Sequence, residues 1–132
     1  MRRGTESLGQ APSQRQLKVA ETMRHQLAEW LMRGELHDPA LQGVSVTVSE
    51  VRASRDLKHA TAYVAVLGAD TAPLPVLDAL NRAGPRLGGQ LARALHLKYA
   101  PKVRFQNDDR YEEAARIETL LKAAHRDDGD GA

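Results

Sequence analysis

The chain contains no cysteine, which removes disulfides, thiol nucleophiles and thiolate metal sites together. Aromatic residues are few: one tryptophan, one phenylalanine and three tyrosines among 132 residues. No apolar run approaches the roughly 20 residues that a membrane-spanning helix needs. The N-terminus passes from Met1-Arg2-Arg3-Gly4 into polar residues with no apolar signal core, so a cytoplasmic location is expected. No glycine-rich loop ending in Lys-Ser or Lys-Thr is present to cradle a nucleotide, and no serine lies in a nucleophile elbow. His25, His37, His59, His96 and His125 form no pair at helical metal-ligand spacing. With no catalytic or metal constellation visible, the chain is expected to be no enzyme and to carry no metal or cofactor; a small hydrolase or nuclease is disfavoured.

What is present is the composition of a folded domain, 42% apolar and 27% charged, with its charge unevenly placed. Residues 1–106 hold 15 Lys and Arg against 9 Asp and Glu, whereas residues 107–132 hold 4 against 8. A basic body therefore precedes an acidic tail. Arg82, Arg86, Arg93, Lys98, Lys102 and Arg104 follow one another with no acidic residue between them. Positive charge gathered in this way suggests a polyanionic partner, of which nucleic acid is the commonest.

The length suits one domain, expected over residues 13–125, with a disordered N-terminal tail (1–12) and a disordered acidic C-terminal tail (126–132). Ser13 and Gln16 have the spacing of a capping box. Val19, Ala20, Met23, Leu27, Trp30 and Leu31 then recur at helical intervals up to a stop between Gly34 and Pro39. Val44, Val46 and Val48 alternate with polar residues as in a half-buried strand. A turn at Ala53-Ser54-Arg55, with Asp56 bonding the turn's own amides, leads to a second strand with Ala60, Ala62, Val64 and Val66 on one face. Pro73 and Pro75 suit the first turn of a second helix, which runs to about Ala83.

Gly84 and Pro85 should interrupt that helix, since carrying it through proline without a kink costs about 3 kcal/mol. Leu87, Leu91, Ala94 and Leu95 resume helical spacing in a third helix, which Gly88 and Gly89 weaken by ~1 kcal/mol each relative to alanine. A short strand follows Pro101 with Val103 and Phe105 on one side and Lys102 and Arg104 on the other. A last helix is expected to be capped by Asp109 with Glu112 and to carry Ala114, Ile117, Leu121 and Ala124 on one stripe. The predicted class is α+β, in the order α-β-β-α-(kink)-α-β-α. The helical connection makes strands two and three parallel, giving a mixed three-stranded sheet covered by helices.

Several segments carry a family resemblance: Arg24 to Leu36-His37-Asp38-Pro39, Val44 to Val51, Ser54-Arg55-Asp56-Leu57-Lys58-His59-Ala60, and Leu97 to Phe105. Together with Asp108-Asp109 and residues 112–121 they closely resemble ribosome-binding factor A, over roughly residues 13 to 124. The resemblance implies a type II KH-like domain that binds immature 30S subunits through small-subunit (16S) rRNA. It also implies aid to late maturation and rRNA end processing, a prominent role in growth in the cold, and release that involves a GTPase. Members carry a kinked Ala-x-Gly in place of the Gly-x-x-Gly loop of other KH domains. The aligned triplet here is Ala83-Gly84-Pro85, with proline at its last position.

With RNA as the implied partner, Arg82, Arg86 and Arg93 are the primary candidate contacts, because guanidinium forks match phosphate oxygens and stack on exposed bases. Lys98, Lys102 and Arg104 are secondary candidates. Five scattered aromatics are few for reading RNA by stacking. Trp30 is assigned to the core, and Tyr99, inside the basic stretch, has a better claim than Trp30 or Tyr63. The alternative is a protein interaction module whose basic face binds an acidic protein partner, with the ribosome contacted indirectly. The chain is expected to be a monomer.

Overall fold

The computed structural model describes residues 11–108 together with Leu120 and Leu121, which are helical. The body of the predicted last helix, with its Asp109 and Glu112 cap, and nearly all of both predicted tails lie outside the described residues.

Helix α1 (Gln14–Met32) begins as its sequence predicts. The Gln16 amide donates to Ser13 Oγ at 3.1 Å, and the Ser13 amide donates to Gln16 Oε1 at 2.9 Å, so two amides without helical partners are satisfied at once. The Gln16 side-chain nitrogen also donates to the Ala53 carbonyl at 3.1 Å, tying this cap to the sheet. The helix ends at Gly34, whose φ of 70° lets its amide reach the Leu31 carbonyl while that of Glu35 reaches Trp30, the paired bonds of a Schellman motif. Ala20, Met23 and Leu27 are buried, with Val19, Trp30 and Leu31 half-buried beside them. A single 3-10 turn, Pro39–Leu41, follows, capped by Asp38 Oδ1 on the Ala40 amide at 3.0 Å.

Strands β1 (Val46–Ala53) and β2 (His59–Val66) pair antiparallel, and β3 (Lys102–Asn107) joins β2 in parallel, giving the order β1-β2-β3. The mixed sheet is the one predicted, but β1 starts two residues later than Val44 and runs on through Ala53, which the sequence assigned to the turn. A bulge between Val48 and Glu50 accompanies the continuation to Ala53. Strict alternation would send Glu50 inward; the extra residue restores phase so that Val48 and Val51 are both buried. Asp56 does bond its own turn, accepting from the Ser54 hydroxyl at 2.7 Å and the Lys58 amide at 3.0 Å.

The crossover from β2 to β3 consists of α2 (Leu74–Arg82) and α3 (Gly84–Leu95). Their junction is Ala83 alone, one residue before the predicted break, and Gly84 and Pro85 open α3 instead of separating the helices. Proline is accommodated because it lies in the first turn, where its missing N–H would have had no helical acceptor.

Ala53, Ala60 and Val103 form one row across the sheet; Val51, Ala62 and Phe105 form the next. The second row is buried against Met23, Leu27, Leu80, Leu87 and Leu91. Leu87 and Leu91 meet the predicted stripe of α3, whereas Ala94 is exposed. Asn81 of α2 bonds β3 like a neighbouring strand, its Oδ1 accepting from the Phe105 amide at 2.7 Å and its Nδ2 donating to the Phe105 carbonyl at 3.1 Å.

Gly84 and Gly88 have a role that helix propensity alone does not suggest. A Cβ on Gly84 would lie 2.6 Å from the Val103 carbonyl oxygen, and one on Gly88 well inside 3.0 Å of that of Pro101. The backbone of β3 thus rests directly on one face of α3, one turn apart. Only Gly89 fits the reading of a residue that simply weakens the helix.

Candidate nucleic-acid interface

Ala83 ends α2 and begins α3 with one helical conformation, φ −83° and ψ −7°. Its amide bonds back to Ala79 and Leu80, and its carbonyl accepts from Leu87 at 2.9 Å. The helical pair therefore bends at one residue and presents no intervening loop. Gly84, buried against β3, fixes where the bend sits relative to the sheet.

Arg82 and Arg86 flank this bend four residues apart. The Arg82 guanidinium donates to Asp38 Oδ2 from Nη2 at 2.7 Å and from Nε at 3.3 Å. Arg86 Nη2 donates to the Glu35 carbonyl at 3.1 Å. Both side chains thus brace the segment that follows α1. They remain exposed, Arg82 at 61%, and an ion pair this wet is weak, weak enough for a phosphate to displace it. Arg93 lies exposed in the last turn of α3, seven residues beyond Arg86 and so on the same stripe.

The Arg82 hydrogen bond, followed by that from the Ala40 amide, holds the Asp38 carboxyl below the usual aspartate range. A carboxyl whose folded-state pKa is depressed adds stability above its unfolded pKa and loses it as pH falls through the folded value. The pair should therefore persist at neutral pH and open only in acid. Carbon-detected NMR of Asp38 should show a midpoint below the ordinary value in the wild type and a higher one in Arg82→Gln; equal midpoints would show that the pair does not form in solution.

The remaining predicted cations stand elsewhere. Lys102 and Arg104 are exposed on β3, alternating with buried Val103 and Phe105, and so lie on the face of the sheet opposite the core. There Arg104 is in register with Thr61, and Thr61 with Arg52. Arg52 sits 5.1 Å from the centre of the Tyr63 ring and 2.9 Å from Glu50. Lys98 follows α3 and approaches Tyr99, as does Lys58 from the β1–β2 connection.

The basic stretch that is continuous in sequence is thus divided in space, with Arg82, Arg86 and Arg93 on the helices and Lys102 and Arg104 on the outer sheet face. Arg52 and Lys58 were missed because they lie outside that stretch. Strict alternation in β1 would have sent Arg52 inward; the bulge turns it outward, and its alignment with Arg104 depends on the register of three strands.

Among the described residues little resembles a reaction centre. An open groove of about 920 Å³ beside β1 is lined by residues including Gln16, Leu17, Arg52, Ser54, Asp56 and His59. Its hydroxyl, on Ser54, donates to Asp56 and accepts the backbone amide of His59, which makes these three residues a turn and not a nucleophile with its base. Among the described residues no group of three or more potential metal ligands occurs, and no helix is long and apolar enough to cross a membrane.

Comparison with known proteins gives one answer. A family model described as Ribosome-binding factor A matches residues 15–121. A ribosome-binding factor A from Nitrobacter winogradskyi (strain Nb-255) is 54% identical over 118 residues, covering 87% of this chain and 85% of that protein. One from Methylobacterium sp. (strain 4-46) is 51% identical over 123 residues, covering 93% and 86%. The crystal structure of ribosome-binding factor A from Thermus thermophilus superposes with a TM-score of 0.57 at 29% identity, over 70% of this chain and 94% of that one. The architecture shared with it is the type II KH-like α+β fold that the sequence predicts.

Proposed function

The chain belongs to the ribosome-binding factor A family, and on that premise we propose that it is a non-catalytic assembly factor of the small ribosomal subunit. It binds immature 30S subunits in the cytoplasm through 16S rRNA, aids late maturation and rRNA end processing, and leaves the subunit with the help of a GTPase. The observation that carries the reading is the exposed row Arg82, Arg86 and Arg93 around the helical bend at Ala83. Guanidinium groups spaced along a rigid helical pair can meet successive phosphates, and structured rRNA is recognised largely by shape and by its sugar-phosphate surface.

Neutralising about four phosphates releases their counterions, so the logarithm of affinity should fall against the logarithm of salt concentration with a slope of roughly −3. The measurement is a salt titration of the purified protein on naked 16S rRNA fragments. A slope near zero would overturn the reading. Subunit binding retained without any affinity for naked rRNA would favour an acidic protein partner instead.

A further inference from the structure

Tyr99 takes no part in the row at the helical bend, yet the fold surrounds it with positive charge from two separate segments. It stands in the connection between α3 and β3 with half of its surface exposed, 50%. Lys58 Nζ lies 4.6 Å from the ring centre and Lys98 Nζ 5.6 Å. A bond from the Lys102 amide to the Lys58 carbonyl at 2.8 Å, just ahead of the paired strands, holds the two connections together. Unlike Arg82, which faces Asp38, neither of these lysines, Lys58 and Lys98, forms a close ion pair among the described residues. Asp56 is the carboxylate nearest to Lys58, whose amide it binds, but it makes no close ion pair with that ammonium, and the ring is accessible.

We propose that Tyr99, framed by Lys58 and Lys98, is a stacking platform for one unpaired nucleotide of the RNA partner. The inference rests on the reading that this partner is RNA, and it adds a second point of contact of a different kind. A lysine over an exposed ring is weakly held. A base stacked on the same ring is held more strongly, and every base has a face to offer. As the base takes the ring, the displaced ammonium groups turn to the phosphates on either side of that nucleotide, so both components improve their partners. A base inside a duplex cannot stack in this way, which makes the site selective for single-stranded segments.

The test uses the full-length chain, a short single-stranded oligoribonucleotide carrying a fluorescent adenine analogue, and a duplex of the same sequence. Tyr99→Ala should bind the single strand about tenfold more weakly, leave the duplex affinity nearly unchanged and abolish the quenching of the analogue. Tyr99→Phe should behave as wild type, since the ring and not the hydroxyl does the stacking. Equal single-strand affinity and equal quenching in wild type and Tyr99→Ala would overturn the proposal, as would a wild type that pellets with immature subunits but ignores the oligonucleotide. In either case the assembly-factor reading would stand. If the wild type binds neither subunits nor RNA, that reading falls and this one with it. Circular dichroism of each variant separates lost contact from lost fold.

Discussion

Gly88→Ala should lower the melting temperature by roughly 10–20 °C, whereas Gly89→Ala should raise it by a few degrees. Helix propensity alone predicts the same outcome for both, a gain of ~1 kcal/mol each. Packing separates them. The new methyl on Gly88 would meet the Pro101 carbonyl oxygen well inside 3.0 Å. Because that neighbour is backbone, it cannot rotate away, so β3 would have to lift from α3. Lifting it would loosen Val103 and Phe105 from Leu87 and Leu91, all buried in the same core. Overpacking of this kind costs about 1–3 kcal/mol and sometimes more; against rigid backbone a cost of about 4 kcal/mol less the ~1 kcal/mol propensity gain leaves a net loss near 3 kcal/mol, the stated shift at roughly 3–6 °C per kcal/mol for a domain of this size. At Gly89 the nearest atom is the flexible Arg93 Nη1, at 3.7 Å, and the propensity gain survives. Thermal unfolding followed by circular dichroism measures both, and a Gly88→Ala variant as stable as the wild type would show that the strand is not seated as described.

Arg82→Glu, Arg86→Glu and Arg93→Glu combined should weaken binding to immature 30S subunits by about 10³-fold while the domain stays folded. A hydrogen bond to a charged group contributes about 1.5–3 kcal/mol. Three of them at the lower end make ~4 kcal/mol, which is three powers of ten in affinity. The fold should tolerate the change because the side chains are exposed and the Arg82–Asp38 pair is a surface pair of small value. The informative comparison is Lys102→Glu with Arg104→Glu on the other face of the sheet, where a smaller loss is expected. Co-sedimentation of both variants with precursor subunits decides the matter. If only the strand variant loses binding, the docking surface is the outer face of the sheet and the helical arginines are structural braces.

That comparison is needed because primary structure and tertiary structure order the cations differently. Arg82 and Asp38 are 44 residues apart, and no local pattern marks them as partners; they meet because α2 packs beside the segment that leaves α1. Lys58 and Tyr99 meet only through the parallel pairing of β2 with β3. The bulge after Val48 escaped pattern reading for a related reason, since one extra residue reverses the inward face without changing composition.

Local chemistry was enough for the rest. The amino-acid sequence by itself determined the capping box at Ser13 and Gln16, the helical stripe of α1, the alternation in β2 and β3, and the bend to within one residue, because each depends on neighbours a few positions away. Only the tertiary structure decided that Gly84 and Gly88 are seats for a strand backbone, and that a continuous basic stretch becomes two surfaces facing different ways. The physical reason is that periodicity states which face of an element is apolar, whereas strand register and helix-on-sheet packing determine what that face, and the one opposite, will meet.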